Sequence, residues 1–240
     1  MRGLLERWLR NMDSSRKRSF EVFDRYADRY DSWYTRHRIT AENEARCLKS
    51  LGLHGLGIDI GAGSGFFTKI LGAIALEPSR QMLYKAKEKG LESIRGVSEY
   101  IPVRSNILDY AVMVVTLCFL EDPMEALRET WRVLKNGGVL ALCIVPRDSK
   151  WGRFYESRKA ESPFYRMAKF YTVEEVIGML RDAGFKVESV RASLSYGPLD
   201  EAKVETPVET YSDRSFVCIS ACKTVSEHSP LRRTSEPSRG

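Results

Sequence analysis

Glycines and acidic residues in one short stretch have the types and spacing of a nucleotide cofactor site. The stretch GIDIGAGSGFF spans residues 57–67, and Asp59 lies just ahead of three alternating glycines. Glycines at this density indicate a backbone that turns tightly or approaches a ligand closely. The spacing is G-x-G-x-G, and Phe66 stands where the dinucleotide fingerprint has its third glycine.

The chemistry of this stretch favours a positively charged cofactor over a pyrophosphate. A pyrophosphate is held by a glycine turn that opens directly onto the N-terminus of a helix. A carboxylate at Asp59 would repel that anion, but it would suit an ammonium group and a positive sulfur. Glu77, in the segment ALEPS, can accept hydrogen bonds from both hydroxyls of a ribose. The adenosine of NAD would use Glu77 equally well, so Glu77 alone does not separate the two cofactors.

The elements that must position these residues alternate between strands and helices. The apolar segments GLGIDIG, GAIALEP, SIRGVS, YAVMVVTLCF and GVLALCIVP predict five strands, and two more follow near residues 186–194 and 215–223. The fourth strand is a continuous apolar run of the kind that is buried on both faces. This alternation predicts a doubly wound α/β sheet, in which ligands bind at the carboxyl ends of the strands.

Helices are predicted between these strands. Residues 20–51 and 66–71 have helical periodicity, and so does a segment that begins at Pro123 and stops at Asn136. A further helix begins after the capping residue Thr172 and ends at Gly184.

Composition limits the classes of protein to which the chain can belong. The 240 residues are 43% hydrophobic and 29% charged, which is typical of one globular domain. No apolar run approaches the roughly 20 residues of a membrane span, and no signal-peptide pattern opens the chain. Five cysteines without C-x-x-C spacing and three histidines predict no metal site. Cys118 and Cys143 lie in apolar runs, so we expect reduced, buried thiols and a cytoplasmic location.

The two ends of the chain differ from its centre. Residues 1–19 form a basic extension whose apolar side chains share one helical face, suited to a membrane surface or to the domain itself. Residues 224–240 lack apolar periodicity and are predicted to be disordered. The net charge of +6 lies partly at these ends, which leaves open a contact with nucleic acid.

Four motifs in order resemble those of a known family. DIGAGSG, LEPS, NILDYAVMVVTLCFLEDP and ALRETWRVLKNGGVL resemble the successive motifs of class I S-adenosylmethionine-dependent methyltransferases. The resemblance covers residues 20–223 and is closest to the small-molecule branch, methyltransferase type 11, with the ubiquinone and menaquinone biosynthesis enzymes. Residues 146–176 also resemble a prokaryotic subgroup related to histidine N-methyltransferases. The resemblance implies a Rossmann-like, seven-stranded, mostly parallel sheet with one antiparallel strand and helices on both faces.

The resemblance also implies a cofactor, S-adenosylmethionine, and a small-molecule acceptor. Gly61, Ala62 and Gly63 would line the methionine part of the cofactor, with Asp59 near its amino group, and Glu77 would hold the ribose. Pro78 and Met82 would flank the adenine, and Ser98 and Glu99 would contact its edge. Thr116 and Leu117 would face the sulfonium and the acceptor, and Tyr30, on the helix that covers the cofactor, would contact the cofactor. Met82 and Leu117 fit a plain core role equally well.

Two segments are expected to cover the site. Residues 20–51 would form N-terminal cap helices, in which we assign Tyr30 to the cofactor and Tyr26 to packing. Residues 147–171 form an insertion, the lid, in which aromatic residues alternate with arginines and lysines. The lid could form an acceptor pocket, or it could cover its own apolar surface.

Two other functions stay open, and no catalytic residue is predicted. The basic ends favour an RNA or DNA methyltransferase. The fourth strand ends in TLCF, however, and lacks the Asn- or Asp-Pro-Pro-aromatic turn suited to an exocyclic base amine. A non-catalytic domain that binds S-adenosylmethionine is the other alternative.

His37 is the one histidine near the expected site, and we predict that it is exposed on the first helix. The oligomeric state is not predicted.

Overall fold

A computed structural model describes residues 19–224 and contains one seven-stranded sheet in the order β3-β2-β1-β4-β5-β7-β6. The strands are β1 Gly57–Ile60, β2 Ile74–Leu76, β3 Ser93–Ile94, β4 Leu108–Val114, β5 Leu134–Ile144, β6 Phe185–Ser193 and β7 Phe216–Lys223. Strands β1 to β5 are parallel, and β7 is antiparallel to both of its neighbours. The prediction of a doubly wound, mostly parallel sheet with one antiparallel strand is confirmed.

Helices lie on both faces of this sheet. They are α1 Ser19–Arg25, α2 Ala27–Arg36, α3 Arg38–Lys49, α4 Phe66–Leu71, α5 Arg80–Glu88, α6 Pro123–Val133, α7 Lys150–Ser157, α8 Pro163–Met167 and α9 Val173–Asp182. One apolar cluster joins α6 and α9 to the sheet, and a second joins α3 and α4 to the opposite face. Alternate side chains of β4 divide between the two clusters, as Met113 and Val112 do, because successive strand residues point to opposite faces.

The strand order sets the position of the glycine loop. β1 lies between β2 and β4, so the chain leaves β1 where neighbouring connections depart to opposite sides of the sheet. Such a point forms a crevice at the carboxyl ends of the strands. The loop from Gly61 to Gly65 lies there, and α4 begins directly after it at Phe66.

Several boundaries differ from the sequence prediction, and three of them have a clear structural cause. The helical segment 20–51 is three helices, because the backbone leaves helical geometry at Tyr26 and His37. β4 ends at Val114, where Val115 takes a φ of +52° and a 3₁₀ turn follows at Leu117–Phe119. α6 ends at Val133, before the predicted stop at Asn136, because Leu134 already pairs with Leu108 in the sheet. Pairing with β4 therefore overrides the local helical pattern.

The prediction of a reduced thiol at Cys143 is wrong. Cys143 of β5 lies directly opposite Cys218 of the antiparallel strand β7, and the two form a disulfide. The partners are 75 residues apart in the sequence, so their pairing depends on the sheet register. Cys118 is a buried free thiol, as predicted, and so is Cys47.

Both chain ends lie mostly outside the described residues. The predictions for the basic extension therefore concern residues 1–18, and those for the tail concern residues 225–240. Within residues 19–224, no helix is long and apolar enough to cross a membrane.

Candidate functional site

Two buried carboxyl groups lie at the carboxyl ends of β1 and β2. Asp59 is 2% exposed, and its Oδ2 accepts a hydrogen bond from the Thr68 hydroxyl at 2.6 Å. Glu77 is 5% exposed, and its two oxygens accept from the Gly63 and Ser79 N–H groups, each at 2.8 Å. Neither carboxyl group forms an ion pair with any lysine or arginine of residues 19–224.

Burial governs the protonation of both groups. Burial raises the pKa of Asp59 to about 6, although the hydrogen bonds from Thr68 oppose this shift. Burial likewise raises the pKa of Glu77 to about 7 against the pull of its two backbone donors. An unpaired carboxylate is costly in a low-dielectric site, and a positive charge beside it would remove that cost.

The glycine loop packs against residues from two other segments. Gly61 has a φ of +73°, and a Cβ there would lie 2.3 Å from Cγ2 of Thr116. Gly63 has a φ of +55°, and a Cβ there would lie 3.6 Å from the Tyr30 ring. Ala62 lies between them, and its N–H donates to the Leu76 carbonyl at 3.1 Å. Position 61 therefore requires glycine because its φ is positive and because a side chain would collide with Thr116. Position 63 requires glycine because of its positive φ alone.

The residue in place of a third glycine has a structural partner. The ring of Phe66 stacks on Tyr34 of α2, with centroids 4.2 Å apart and an angle of 11° between the rings. This contact joins the first residue of α4 to the cap helices.

The predicted adenine-contacting residues lie beyond β2 and β3. Pro78 follows Glu77 and is half-buried, whereas Met82 in the first turn of α5 is fully buried. The Ser98 hydroxyl donates to Oε2 of Glu99 at 2.9 Å. Met82 has no exposed surface here, which fits its alternative role in the core.

The two predicted residues after β4 differ in their surroundings. The Thr116 hydroxyl lies 3.4 Å from the Gly61 carbonyl and 3.2 Å from that of Val114, so it adjoins the glycine loop. Leu117 is 1% exposed and belongs to the main apolar cluster. The fold therefore brings Thr116 to the loop and turns Leu117 toward the core.

Tyr30 lies where the cap helices meet the lid. Its ring is 5.3 Å from Phe23 and 5.7 Å from Phe164, and its hydroxyl is 3.5 Å from that of Tyr34. Burial raises the pKa of Tyr30 to about 12, and the charges of Glu44 and Glu77 also raise it. Cap and lid thus meet through aromatic rings beside the glycine loop.

The lid is held to the domain by its own aromatic residues. Trp151 is buried, and its Nε1 donates to the Tyr196 carbonyl at 2.8 Å. Tyr155 stacks on Tyr165 with centroids 4.2 Å apart. A small cavity between the lid and the ends of β4 and β5 is lined by Val115, Cys118, Ile144, Val145, Phe170 and Tyr171. The lid therefore covers apolar surface of the domain and borders this small cavity.

The arginines of the lid lie on its outer surface. Arg153, Arg158 and Arg166 are exposed, and Arg158 pairs with Glu161 of the lid at 2.6 Å. His37 is also exposed, although it lies between α2 and α3 and not on the first helix.

Three aspartates of the cap, which the sequence analysis missed, join it to the glycine loop and to α5 with its flanking residues. Asp24 accepts from the Ser79 hydroxyl at 2.8 Å and from the Gln81 N–H at 3.0 Å. Asp31 accepts from the Ser64 hydroxyl and from Lys89, and Asp28 pairs with Lys85 at 2.6 Å. These aspartates follow one another at intervals of four and three residues, the spacing of side chains that share one face of a helix. That spacing is the signal by which the sequence could have revealed them.

Tyr30 and Tyr26 provide a matched test of the cap. Both rings contact Phe164, at 5.7 Å and 5.9 Å respectively. The sequence resemblance implies that Tyr30 contacts S-adenosylmethionine. On that basis we expect Tyr30→Phe to weaken binding of this cofactor about fivefold, because one hydroxyl hydrogen bond is worth about 1 kcal/mol. Tyr26→Phe should leave the affinity unchanged. Calorimetric titration of both variants checks this, and equal effects would contradict the different roles of the two tyrosines.

Comparison with known proteins places this geometry in a family. A family model described as a methyltransferase domain matches residues 58–142, which include most of β1, the glycine loop and Glu77. An uncharacterized protein of Methanocaldococcus jannaschii is 35% identical over 204 residues, covering 84% of this chain and 98% of that protein.

A solved structure and a plant enzyme extend the comparison. The first, from Thermotoga maritima, is described as a SAM-dependent methyltransferase, possible histamine N-methyltransferase. It is 36% identical, has a TM-score of 0.83, and covers 86% of this chain and 100% of its own. The second, 2-methyl-6-phytyl-1,4-hydroquinone methyltransferase 1 of Oryza sativa, is 31% identical over 148 residues, covering 55% of this chain and 42% of that protein. With the seven-stranded sheet and the carboxyl groups at the ends of β1 and β2, these similarities show that the chain belongs to the class I S-adenosylmethionine-dependent methyltransferases.

Proposed function

We propose that this protein transfers the methyl group of S-adenosylmethionine to a small-molecule acceptor that binds beneath the lid. The observation that carries the proposal is the pair of buried carboxyl groups, Asp59 and Glu77, neither of which has a cationic partner within residues 19–224. A ligand with an ammonium group, a sulfonium and two ribose hydroxyls supplies the charges and donors that such a pair requires.

The chemistry of the donor set fits this cofactor. Each oxygen of Glu77 accepts one backbone N–H, and a carboxylate offers about four lone-pair sites, so Glu77 can also accept two hydroxyls. We assign the amino group of the cofactor to Asp59 and its methionine part to the loop from Gly61 to Gly63. Pro78, Ser98 and Glu99 would border the adenine, and Thr116 would lie near the sulfonium.

When bound, S-adenosylmethionine supplies an activated methyl group. The residues of this chain then orient the acceptor behind that methyl group and exclude water. Orientation of two reactants in a site can contribute roughly 7–11 kcal/mol to lowering a barrier. The aromatic contacts among Phe23, Tyr30 and Phe164 join cap to lid, and we assign the exclusion of water to them.

Cofactor binding should be linked to proton release. The positive ligand lowers the pKa values of Asp59 and Glu77 from about 6 and about 7, so both groups ionise on binding. At pH 6 both carboxyl groups must still release protons when the positive ligand binds, whereas at pH 7.5 most of this release has already occurred. A shift of one pKa unit corresponds to about 1.4 kcal/mol. We therefore expect the affinity for S-adenosylmethionine to rise about tenfold between pH 6 and pH 7.5.

Calorimetry in buffers of different ionisation enthalpy measures the released protons directly. An affinity that stays flat with pH, together with a binding enthalpy independent of the buffer, would contradict the assignment of both carboxyl groups. The same titration with NAD tests the cofactor itself, because tight NAD binding without S-adenosylmethionine binding would overturn the proposal.

The acceptor class is tested with labelled cofactor. The protein is incubated with methyl-labelled S-adenosylmethionine and either a cell metabolite extract or total RNA. Label in the metabolite fraction is expected. Label that enters RNA alone would refute a small-molecule acceptor, and cofactor binding without any transfer would favour a regulatory domain.

A further inference from the structure

The carboxyl group assigned to the ribose depends on two backbone donors for its position. One oxygen of Glu77 accepts from the Gly63 N–H and the other from the Ser79 N–H, each at 2.8 Å. The Gly63 donor belongs to the glycine loop, and the Ser79 donor belongs to the turn that leads into α5. Both segments must therefore keep their places for Glu77 to present its oxygens to a ribose.

An aspartate of α1 holds the turn that leads into α5. Oδ1 of Asp24 accepts from the Ser79 hydroxyl at 2.8 Å and from the Gln81 N–H at 3.0 Å. The Ser79 hydroxyl in turn accepts from the Met82 N–H at 3.2 Å, so it bridges the cap and the first turn of α5. Ser79 is fully buried. Asp24 thus holds the residue whose own N–H supports Glu77.

An aspartate of α2 holds the glycine loop. Asp31 accepts from the Ser64 hydroxyl and, at 2.8 Å, from Nζ of Lys89. Nζ of Lys89 also donates to the Ser64 carbonyl at 2.9 Å, so the three residues form a closed ring of contacts. Ser64 is 1% exposed and lies between two glycines of positive φ, Gly63 and Gly65. A glycine-rich backbone has much conformational freedom to lose, and this ring restrains it directly beside the Gly63 donor.

The third aspartate of the cap forms a different kind of contact. The side chain of Asp28 is 95% exposed and pairs with Nζ of Lys85 on α5 at 2.6 Å. An ion pair in that setting contributes little, because water and salt screen it. Within residues 19–224, Asp28 forms no hydrogen bond with the glycine loop or with the turn before α5. The cap thus carries its own control, an aspartate that reaches α5 without a bond to either donor segment.

The two ties give the cap a hold on both oxygens of Glu77. If the cap shifts, Ser64 and Ser79 lose their acceptors together, and neither donor of Glu77 keeps that restraint. The opposite also follows, because a coupling between two equilibria acts equally in both directions. A ribose that fixes Glu77 therefore strengthens the docking of the cap by the same free energy with which the docked cap strengthens ribose binding.

We propose, on the basis of the cofactor assignment above, that Asp24 and Asp31 are positioning residues for ribose recognition. They act through Ser79 and Ser64, and they set how well Glu77 distinguishes a ribose from a sugar that lacks a hydroxyl. A hydrogen bond from a ribose hydroxyl to a carboxylate is strong only at good geometry, so a small shift of Glu77 is enough to weaken it.

Binding of two matched ligands measures this role. The full protein is titrated by calorimetry with S-adenosylhomocysteine and with its 2′-deoxy analogue, and the ratio of the two dissociation constants gives the preference for ribose. We expect wild type to prefer the ribose at least about tenfold, because the analogue lacks one hydroxyl that bonds to a carboxylate. Asp24→Ala and Asp31→Ala should each reduce this preference at least about threefold, whereas Asp28→Ala, the matched control, should retain it. A general loss of structure lowers both affinities alike and leaves the ratio unchanged, so the ratio reports positioning.

Substitution of the serines tests the route of this effect. Ser79→Ala and Ser64→Ala remove the same contacts from the other side, and they replace the aspartate variants if those do not fold. We expect Ser79→Ala to lower the ribose preference as Asp24→Ala does. The double variant should lose no more than either single variant, because all three remove one interaction. An additive loss in the double variant would overturn the route through Ser79.

The outcomes separate this inference from the proposed function. If wild type binds neither ligand, the methyltransferase function fails and the inference fails with it. If wild type binds both ligands equally, the assignment of Glu77 to the ribose is wrong, and so is a role for the aspartates in ribose recognition. If wild type prefers the ribose but Asp24→Ala and Asp31→Ala keep the full preference, or Asp28→Ala loses as much as they do, the cofactor assignment stands and the inference alone is overturned.

Discussion

Replacement of Glu77 with alanine is expected to weaken S-adenosylmethionine binding by at least about 100-fold. The carboxylate is assigned to both ribose hydroxyls, and a hydrogen bond to a charged group is worth about 1.5–3 kcal/mol. The change also leaves the Gly63 and Ser79 N–H groups without their acceptor, so the glycine loop loses part of its support. Calorimetric titration of the purified variant measures the loss of affinity.

A stability control is needed because the variant also loses two internal hydrogen bonds. Thr172 caps α9 through a reciprocal pair of hydrogen bonds with Glu175, far along the chain from the glycine loop. Thr172→Ala should cost about 1 kcal/mol of unfolding free energy and leave cofactor affinity unchanged. If Glu77→Ala binds the cofactor as tightly as Thr172→Ala does, the ribose assignment is wrong.

The second large effect is expected for Gly61→Ala. The added methyl group would lie 2.3 Å from Cγ2 of Thr116, and the residue would keep a φ of +73°. Left-handed backbone costs a non-glycine residue about 1–2 kcal/mol, and overpacking costs about 1–3 kcal/mol more. We expect the free energy of unfolding to fall by about 2–5 kcal/mol, as measured by chemical denaturation, and cofactor binding to become undetectable.

Gly72 separates the two contributions to this loss. It has a φ of +66°, but a Cβ there would have nothing within 4 Å. Gly72→Ala should therefore show the backbone cost alone, about 1–2 kcal/mol, with full cofactor affinity. Adding Thr116→Ala to Gly61→Ala should recover part of the lost stability by making room for the methyl group. Equal losses in Gly61→Ala and Gly72→Ala would show that contact with Thr116 is unimportant.

The parts of this molecule that the sequence predicts well are encoded locally. The glycine loop, Asp59 and Glu77 lie at strand ends, and the buried strands on either side of them have continuous apolar runs. The short helix after the loop was predicted with its observed bounds, residues 66–71. Neighbouring residues decide these features, so one sequence is enough to predict them.

The features that the sequence predicts poorly depend on contacts between segments that are distant in the chain. α6 ends early because Leu134 pairs with Leu108, and Cys143 meets Cys218 through the register of β5 and β7. Local patterns report propensity and periodicity, whereas these outcomes depend on which strand or helix lies opposite.

The stack of Phe66 on Tyr34 also limits how this protein can diverge. A glycine at position 66 would complete the spacing of a dinucleotide fingerprint in a single substitution. That change would remove the ring on which the cap helix rests, so an intermediate with the new spacing would lose cap packing before it gained any affinity for NAD. In this chain, the residue that departs from the dinucleotide spacing therefore also supports the packing of the cap helix.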